Sequence, residues 1–155
     1  MKDKRPGQFI KILLLIAIII GEIYMIGYAS KTEAEKDAAE RPAAIKEYNK
    51  AYEEFEVAKA KLTKAINDAI SKTEVSPENT ERAFETCSTH LGAGFSWISM
   101  TKTEYSSSTT TKPSIIKNKA KSLKSTTKTL EDAAEKDIDK KCAWVFKTYT
   151  KTSSD

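Results

Sequence analysis

Cys87-x-x-His90 places a thiol and the chain's single histidine about one helical turn apart, and Cys142 is the only other cysteine. Thiolate and imidazole at that spacing could begin a zinc site. A closed structural site takes four ligands, however, and only a carboxylate is left to complete this one. The alternative chemistry for an even cysteine pair is a disulfide, Cys87 to Cys142, formed in an oxidising compartment. Such a bond closes a loop of about 55 residues and is worth on the order of 4 kcal/mol on the chain-entropy argument. Haem attachment of the c type needs Cys-x-x-Cys-His, which is absent. For catalysis the inventory is thin. One histidine, no Gly-x-Ser-x-Gly, no glycine-rich nucleotide loop and no carboxylate pair in an apolar setting leave nothing to join a nucleophile to its base. The expectation is a non-enzymatic protein with no cofactor and no metal.

Two further groups carry charge with potential consequence. Between Ser99 and Thr129 stand seven lysines against Glu104 alone, among them Lys112, Lys117, Lys119, Lys121, Lys124 and Lys128. They could contact an anionic surface such as lipid headgroups or a cell-wall polymer. The structural alternative is a solvated face set against an acidic helix, because residues 31 to 85 hold ten basic and thirteen acidic side chains; nucleic acid is not expected as a partner. Glu22 lies inside an apolar run, where an ionised carboxylate costs a few kilocalories per mole, about 3 on insertion scales. Either it faces a partner membrane helix, with the small residues Ala17 and Gly21 allowing close approach, or it marks the polar end of a shorter apolar segment. Phe95, Trp97, Trp144 and Phe146 flank the two cysteines and are expected to be core rather than a ligand platform.

The element that must position Glu22 is the run from Phe9 to Tyr28, twenty residues interrupted only by Lys11 and Glu22. At about 1.5 Å per residue it is roughly 30 Å long, the thickness of a bilayer's hydrocarbon core. Lys2, Lys4 and Arg5 precede it and a mixed, acidic stretch follows, so the positive-inside rule keeps residues 1–7 cytoplasmic and exports residues 30–155 through a membrane helix at 8–29. The rival reading is a signal peptide cleaved after Ala29, since Gly27-Tyr28-Ala29 offers small residues where a signal peptidase reads them. The apolar run is longer than the usual signal core, which favours a retained anchor in a cytoplasmic (inner) membrane.

Beyond Pro42, where the helix is expected to kink or restart, Ile45, Tyr48, Tyr52, Phe55, Leu62, Ile66 and Ala69/Ile70 recur at steps of three and four, with Ala58 filling the gap. This stripe predicts a helix over about 43–72. Ser76-Pro77-Glu78 opens a shorter one over about 77–91, ended by Gly92-Ala93-Gly94. A Ser/Thr-rich loop is expected at about 99–113, since 15 of the 31 residues from Ser99 to Thr129 are Ser or Thr. A second long stripe, Ile116, Ala120, Leu123, Thr127, Leu130, Ala134, Ile138, Cys142, Val145 and Tyr149, predicts a helix over about 114–149. The fold class is therefore all-α: one transmembrane helix, then an extracytoplasmic helical hairpin or three-helix bundle with its long helices antiparallel and one disulfide.

A short inside tail, one N-terminal apolar run and an exported helical part with cysteines resembles, in layout and not in any motif, the inner-membrane spanins of phage lysis systems. Pro6-Gly7 before an apolar run is similar to the cleavage junction of prepilins, but Lys11 or Ile12 stands where a pilin has glutamate, which argues against that family. Read together, these features predict a single-pass structural or accessory protein that works through protein contacts in an envelope assembly, its partner being an envelope protein or a second copy. The alternative is a secreted helical module that binds an anionic surface through its lysines.

Overall fold

The computed structural model describes residues 6–105 and 110–150, all helix, turn and loop with a single isolated β-bridge between Val75 and Thr150. The basic residues Lys2, Lys4 and Arg5, and positions 106–109 of the Ser/Thr-rich loop, lie outside the described residues. The chain divides into two units, Met1–Pro42 and Ala43–Asp155. Helix α1, Pro6–Ser71, belongs in part to each and has Pro42 within it. The expected restart at Pro42 does not occur. Proline removes one backbone donor, and the turns on either side keep their own hydrogen bonds.

In the first unit the apolar side chains from Ile12 to Tyr28 are exposed, Ile16 at 47 % and Tyr24 at 78 % marking the range. The segment has the length and composition to cross a membrane. In lipid a helix satisfies its own backbone groups, so a run of Leu, Ile and Ala needs no tertiary partner to keep this form. The helix continues past the apolar run, and Thr32 donates its hydroxyl to the carbonyls of Tyr28 and Ala29 at 3.2 and 2.8 Å.

The second unit is built on the part of α1 that follows Pro42. Its buried residues, Ala44, Tyr48, Ala51, Phe55, Ala58, Leu62, Ile66 and Ala69, step by four and three, the spacing that holds one seam against a neighbour. Ile45 and Tyr52 lie only partly within it. A 3-10 turn at Pro77–Asn79 leads into α2, Thr80–His90, and a second turn at Ser96–Ser99 follows the glycines. Gly92 and Gly94 adopt φ of +87° and +64°, conformations that only glycine takes without strain. Helix α3, Pro113–Ala134, buries Ile116, Ala120, Leu123, Thr127, Leu130 and Ala133.

Two expectations are corrected here. The long helices of this unit run parallel, not antiparallel: Glu47 meets Lys124, Glu54 and Lys61 share a groove with Lys124, Lys128 and Glu131, and Lys72 meets Asp139, so contacts climb both helices in the same sense. The cause lies in the connection. The chain after Ser99 returns to the beginning of the α1 seam, where the Thr103 amide donates to the Tyr48 hydroxyl at 2.8 Å and Tyr105 packs edge-on against the Tyr48 ring at 4.9 Å.

The second correction is that the stripe predicted as one helix over 114–149 is divided. Helix α3 ends at Ala134, α4 covers Ile138–Lys141 and α5 covers Ala143–Thr148. Asp137 caps α4 by accepting from the Lys140 amide at 3.1 Å, and Lys136 donates its ammonium to the Leu91 carbonyl at the end of α2. The Lys140 amide, which an unbroken helix would bond to the carbonyl of residue 136, is thus satisfied by Asp137, and the free carbonyl at the end of α2 by Lys136.

Candidate functional site

Cys87 leaves α2 from its buried side and Cys142 sits at the joint between α4 and α5; the two form a disulfide with their Cα atoms 5.4 Å apart, and both are fully buried. Their sulfurs are therefore consumed, and the zinc reading loses two of its three ligands. Among the described residues no cluster of three or more His, Cys, Asp or Glu side chains could hold a metal ion. His90 instead meets Trp144 edge-on, ring centres 5.4 Å apart and planes at 86°, with the indole Nε1 donating to His90 Nε2 at 3.5 Å.

The four aromatic residues around the disulfide separate into two pairs. Trp97 and Phe146 are core, as expected, at 1 % and 2 % exposure, whereas Phe95 and Trp144 are each 54 % exposed. The reason is local. Trp144 falls between the inward positions Cys142 and Val145, so a helix that buries those must turn the indole outward. Phe95 follows Gly94, whose carbonyl accepts both from Ser88 Oγ and from Trp97 Nε1, the latter at 3.0 Å. That network draws Trp97 in and leaves Phe95 at the surface.

Between them lies a cleft of about 370 Å3 lined by Glu85, Thr86, Thr89, His90, Phe95 and Trp144. Glu85 is half-buried there and its carboxylate makes no hydrogen bond or ion pair among the described residues. The cleft mixes two aromatic surfaces, a carboxylate and two hydroxyls, with no lysine or arginine in its lining. Among the described residues the two hydroxyls are engaged elsewhere, Thr86 with the Tyr149 hydroxyl and Thr89 with the Glu85 backbone carbonyl. The sequence reading missed the cleft, although a signal was present in Trp144, a large apolar residue standing off the stripe.

The other sequence candidates are placed as follows. Ala17 and Gly21 stack one turn apart in the first unit and Glu22 is turned by about 100° from Gly21; all three are exposed, and a Cβ added at Gly21 would meet nothing within 4 Å. The lysines Lys112, Lys117, Lys119, Lys121, Lys124 and Lys128 are all exposed. Lys124 donates to Glu47 at 2.7 Å, and this bond, together with the charges of Lys124 and Lys117, holds the Glu47 carboxyl below the usual glutamate value. Lys128 lies in the groove beside Glu131. On the far end, the 2.8 Å bond to Asp139 and its charge raise the Lys72 ammonium above the usual lysine value. No known protein family matches this chain, and neither a characterised protein nor a solved structure matches it.

Proposed function

We propose that the chain is a single-pass protein of the cytoplasmic (inner) membrane, its N-terminus inside, whose disulfide-closed helical unit is exported and works as a non-enzymatic structural or accessory component of an envelope assembly through protein contacts. The observation that carries this reading is an apolar helical span with no cover inside its own unit, in a chain whose two cysteines are paired. Exposed apolar surface costs about 25 cal/mol per Å2 in water, and a contiguous patch of this extent requires lipid or a partner. A buried disulfide belongs to an oxidising compartment, so the second unit is assigned to the outer side. Retention of the span is supported by its length, twenty residues from Phe9 to Tyr28, which exceeds the usual signal core. Glu22, with Ala17 and Gly21, is the proposed contact for a second membrane helix.

The test is fractionation with intact mass. Membranes are washed at high pH, and the extracted protein is weighed before and after reduction. A full-length chain that gains about two hydrogens on reduction supports the exported anchor. A soluble product beginning near Ser30 would replace it with the secreted module, and free thiols would remove the export assignment. In-membrane crosslinking then reads the contact role: neither a stoichiometric partner nor a self-complex would refute it.

A further inference from the structure

We propose that the cleft between His90, Phe95 and Trp144 is a receptor for an arginine side chain presented by the partner protein, with Glu85 as its counter-ion; this rests on, and makes more specific, the reading that the second unit acts by protein contact. Two observations point to a cation. Phe95 and Trp144 leave more than half of their surface in water, while Trp97 and Phe146 of the neighbouring turn and the same helix are fully enclosed. The cleft they flank is lined by the half-buried Glu85, whose carboxylate has no ion-pair partner among the described residues, not even Arg82 three positions earlier. An unpaired carboxylate in a cleft can meet a bound cation with charge-assisted hydrogen bonds. Aromatic faces beside it attract the same charge.

The remaining lining selects among cations. Thr86 shares its hydroxyl with the Tyr149 hydroxyl at 3.3 Å, and Thr89 donates to the Glu85 carbonyl at 2.8 Å. Each hydroxyl oxygen still has lone-pair capacity to accept, as do both Glu85 carboxylate oxygens. A quaternary ammonium has no N–H to give them. A guanidinium has five, in a planar fork that meets a carboxylate in two bonds while its flat face stacks on an indole or phenyl ring, which an ammonium cannot do. The volume of about 370 Å3 accommodates one such side chain and part of its backbone.

The experiment uses the full chain in nanodiscs, labelled with 15N, because only two indole N–H signals exist and they divide cleanly: Trp97 donates to Gly94 in the core and Trp144 faces the cleft. The probe is the peptide acetyl-Gly-Gly-Arg-Gly-Gly-amide, with its norleucine counterpart and tetramethylammonium as comparisons. A saturable shift of the Trp144 signal with the arginine peptide, Trp97 unmoved, is expected. Glu85→Gln should weaken that binding about tenfold with an otherwise unchanged spectrum, and Phe95→Ala by a similar factor, in line with a charge-assisted bond and a cation–aromatic contact. An equal response to the norleucine peptide, an equal response to tetramethylammonium, or no effect of Glu85→Gln would each overturn the proposal. In-membrane crosslinking separates the two readings. A partner captured equally by wild type and by Glu85→Gln/Phe95→Ala refutes the cleft and leaves the contact role standing. Capture of nothing by wild type refutes the contact role, while the arginine titration still decides the cleft.

Discussion

Breaking the Cys87–Cys142 bond should be among the costliest single changes to the second unit. The disulfide closes a loop with a sequence separation of 55. For that length the chain-entropy relation gives about 14 cal/mol/K, or about 4 kcal/mol at 25 °C. Unfolding entropy of about 2.1 cal/mol/K per residue, taken over the roughly 110 residues from Ala43 onward, is about 230 cal/mol/K, so the midpoint should fall by about 17 °C on reduction. Reduction is the cleaner perturbation because both sulfurs stay in place. The double variant Cys87→Ala/Cys142→Ala also vacates two fully buried sites and should lose about 1–2 kcal/mol more. Both tryptophans lie in the second unit, so thermal unfolding of the full chain in micelles, followed by tryptophan fluorescence, reports that unit alone. With both thiols shown to be free by alkylation, a fall of less than about 5 °C would refute the reasoning, because the loop would then be restricted in the unfolded chain by something other than the bond.

Phe55→Ala, which empties a fully buried site on the α1 seam, should destabilise the second unit by about 3–5 kcal/mol in urea unfolding. Gly94→Ala should cost about 1–2 kcal/mol, since φ is +64° there and no neighbour lies within 4 Å of the added Cβ to compensate or to clash. A carboxyl NMR titration should find Glu47 ionising below 4.5 and returning toward it in Lys124→Gln; as its folded-state value is lowered, the pair stabilises the fold above the unfolded value and this contribution is lost as pH falls through the folded one. The Lys72–Asp139 pair has the opposite sign. Its contribution is complete below 10.5 and is lost as pH rises through the raised folded-state value, so Asp139→Asn should lower the Lys72 midpoint measured by side-chain NMR.

Helical periodicity was legible wherever apolar residues alone decided it. The α1 seam, the start of α3 at Pro113 and the pairing of the cysteines follow from spacing and composition. The direction of α3 does not. Its stripe is equally compatible with a parallel or an antiparallel neighbour, and the choice is made by Tyr48, which takes a hydrogen bond from Thr103 and the edge of Tyr105 and so fixes where the returning loop ends. The facing acidic and lysine-rich stretches do not choose a direction either. Exposed ion pairs contribute only about 0–1 kcal/mol each, and Lys124 with Glu47 forms as readily in the parallel arrangement. The division of the last helix was hidden because Ile138, Cys142 and Val145 continue the three-and-four spacing across the break at Lys136 and Asp137.

That division is also what creates the candidate site. Ending α3 at Ala134 and restarting at Ile138 lets the chain bring Cys142 against Cys87 from a new direction. The disulfide then fixes α5 beside α2, and the residue it turns outward is Trp144, next to His90 at the last turn of α2. Reduction should therefore loosen the cleft before it unfolds the unit. The two effects are separable at temperatures below the reduced protein's midpoint, where the Trp144 indole signal should broaden or shift toward the exposed position while the Trp97 signal, held by Gly94 and Ser88 within a single segment of chain, stays in place. Equal movement of both signals would mean that the bond supports the whole aromatic cluster rather than the placement of α5.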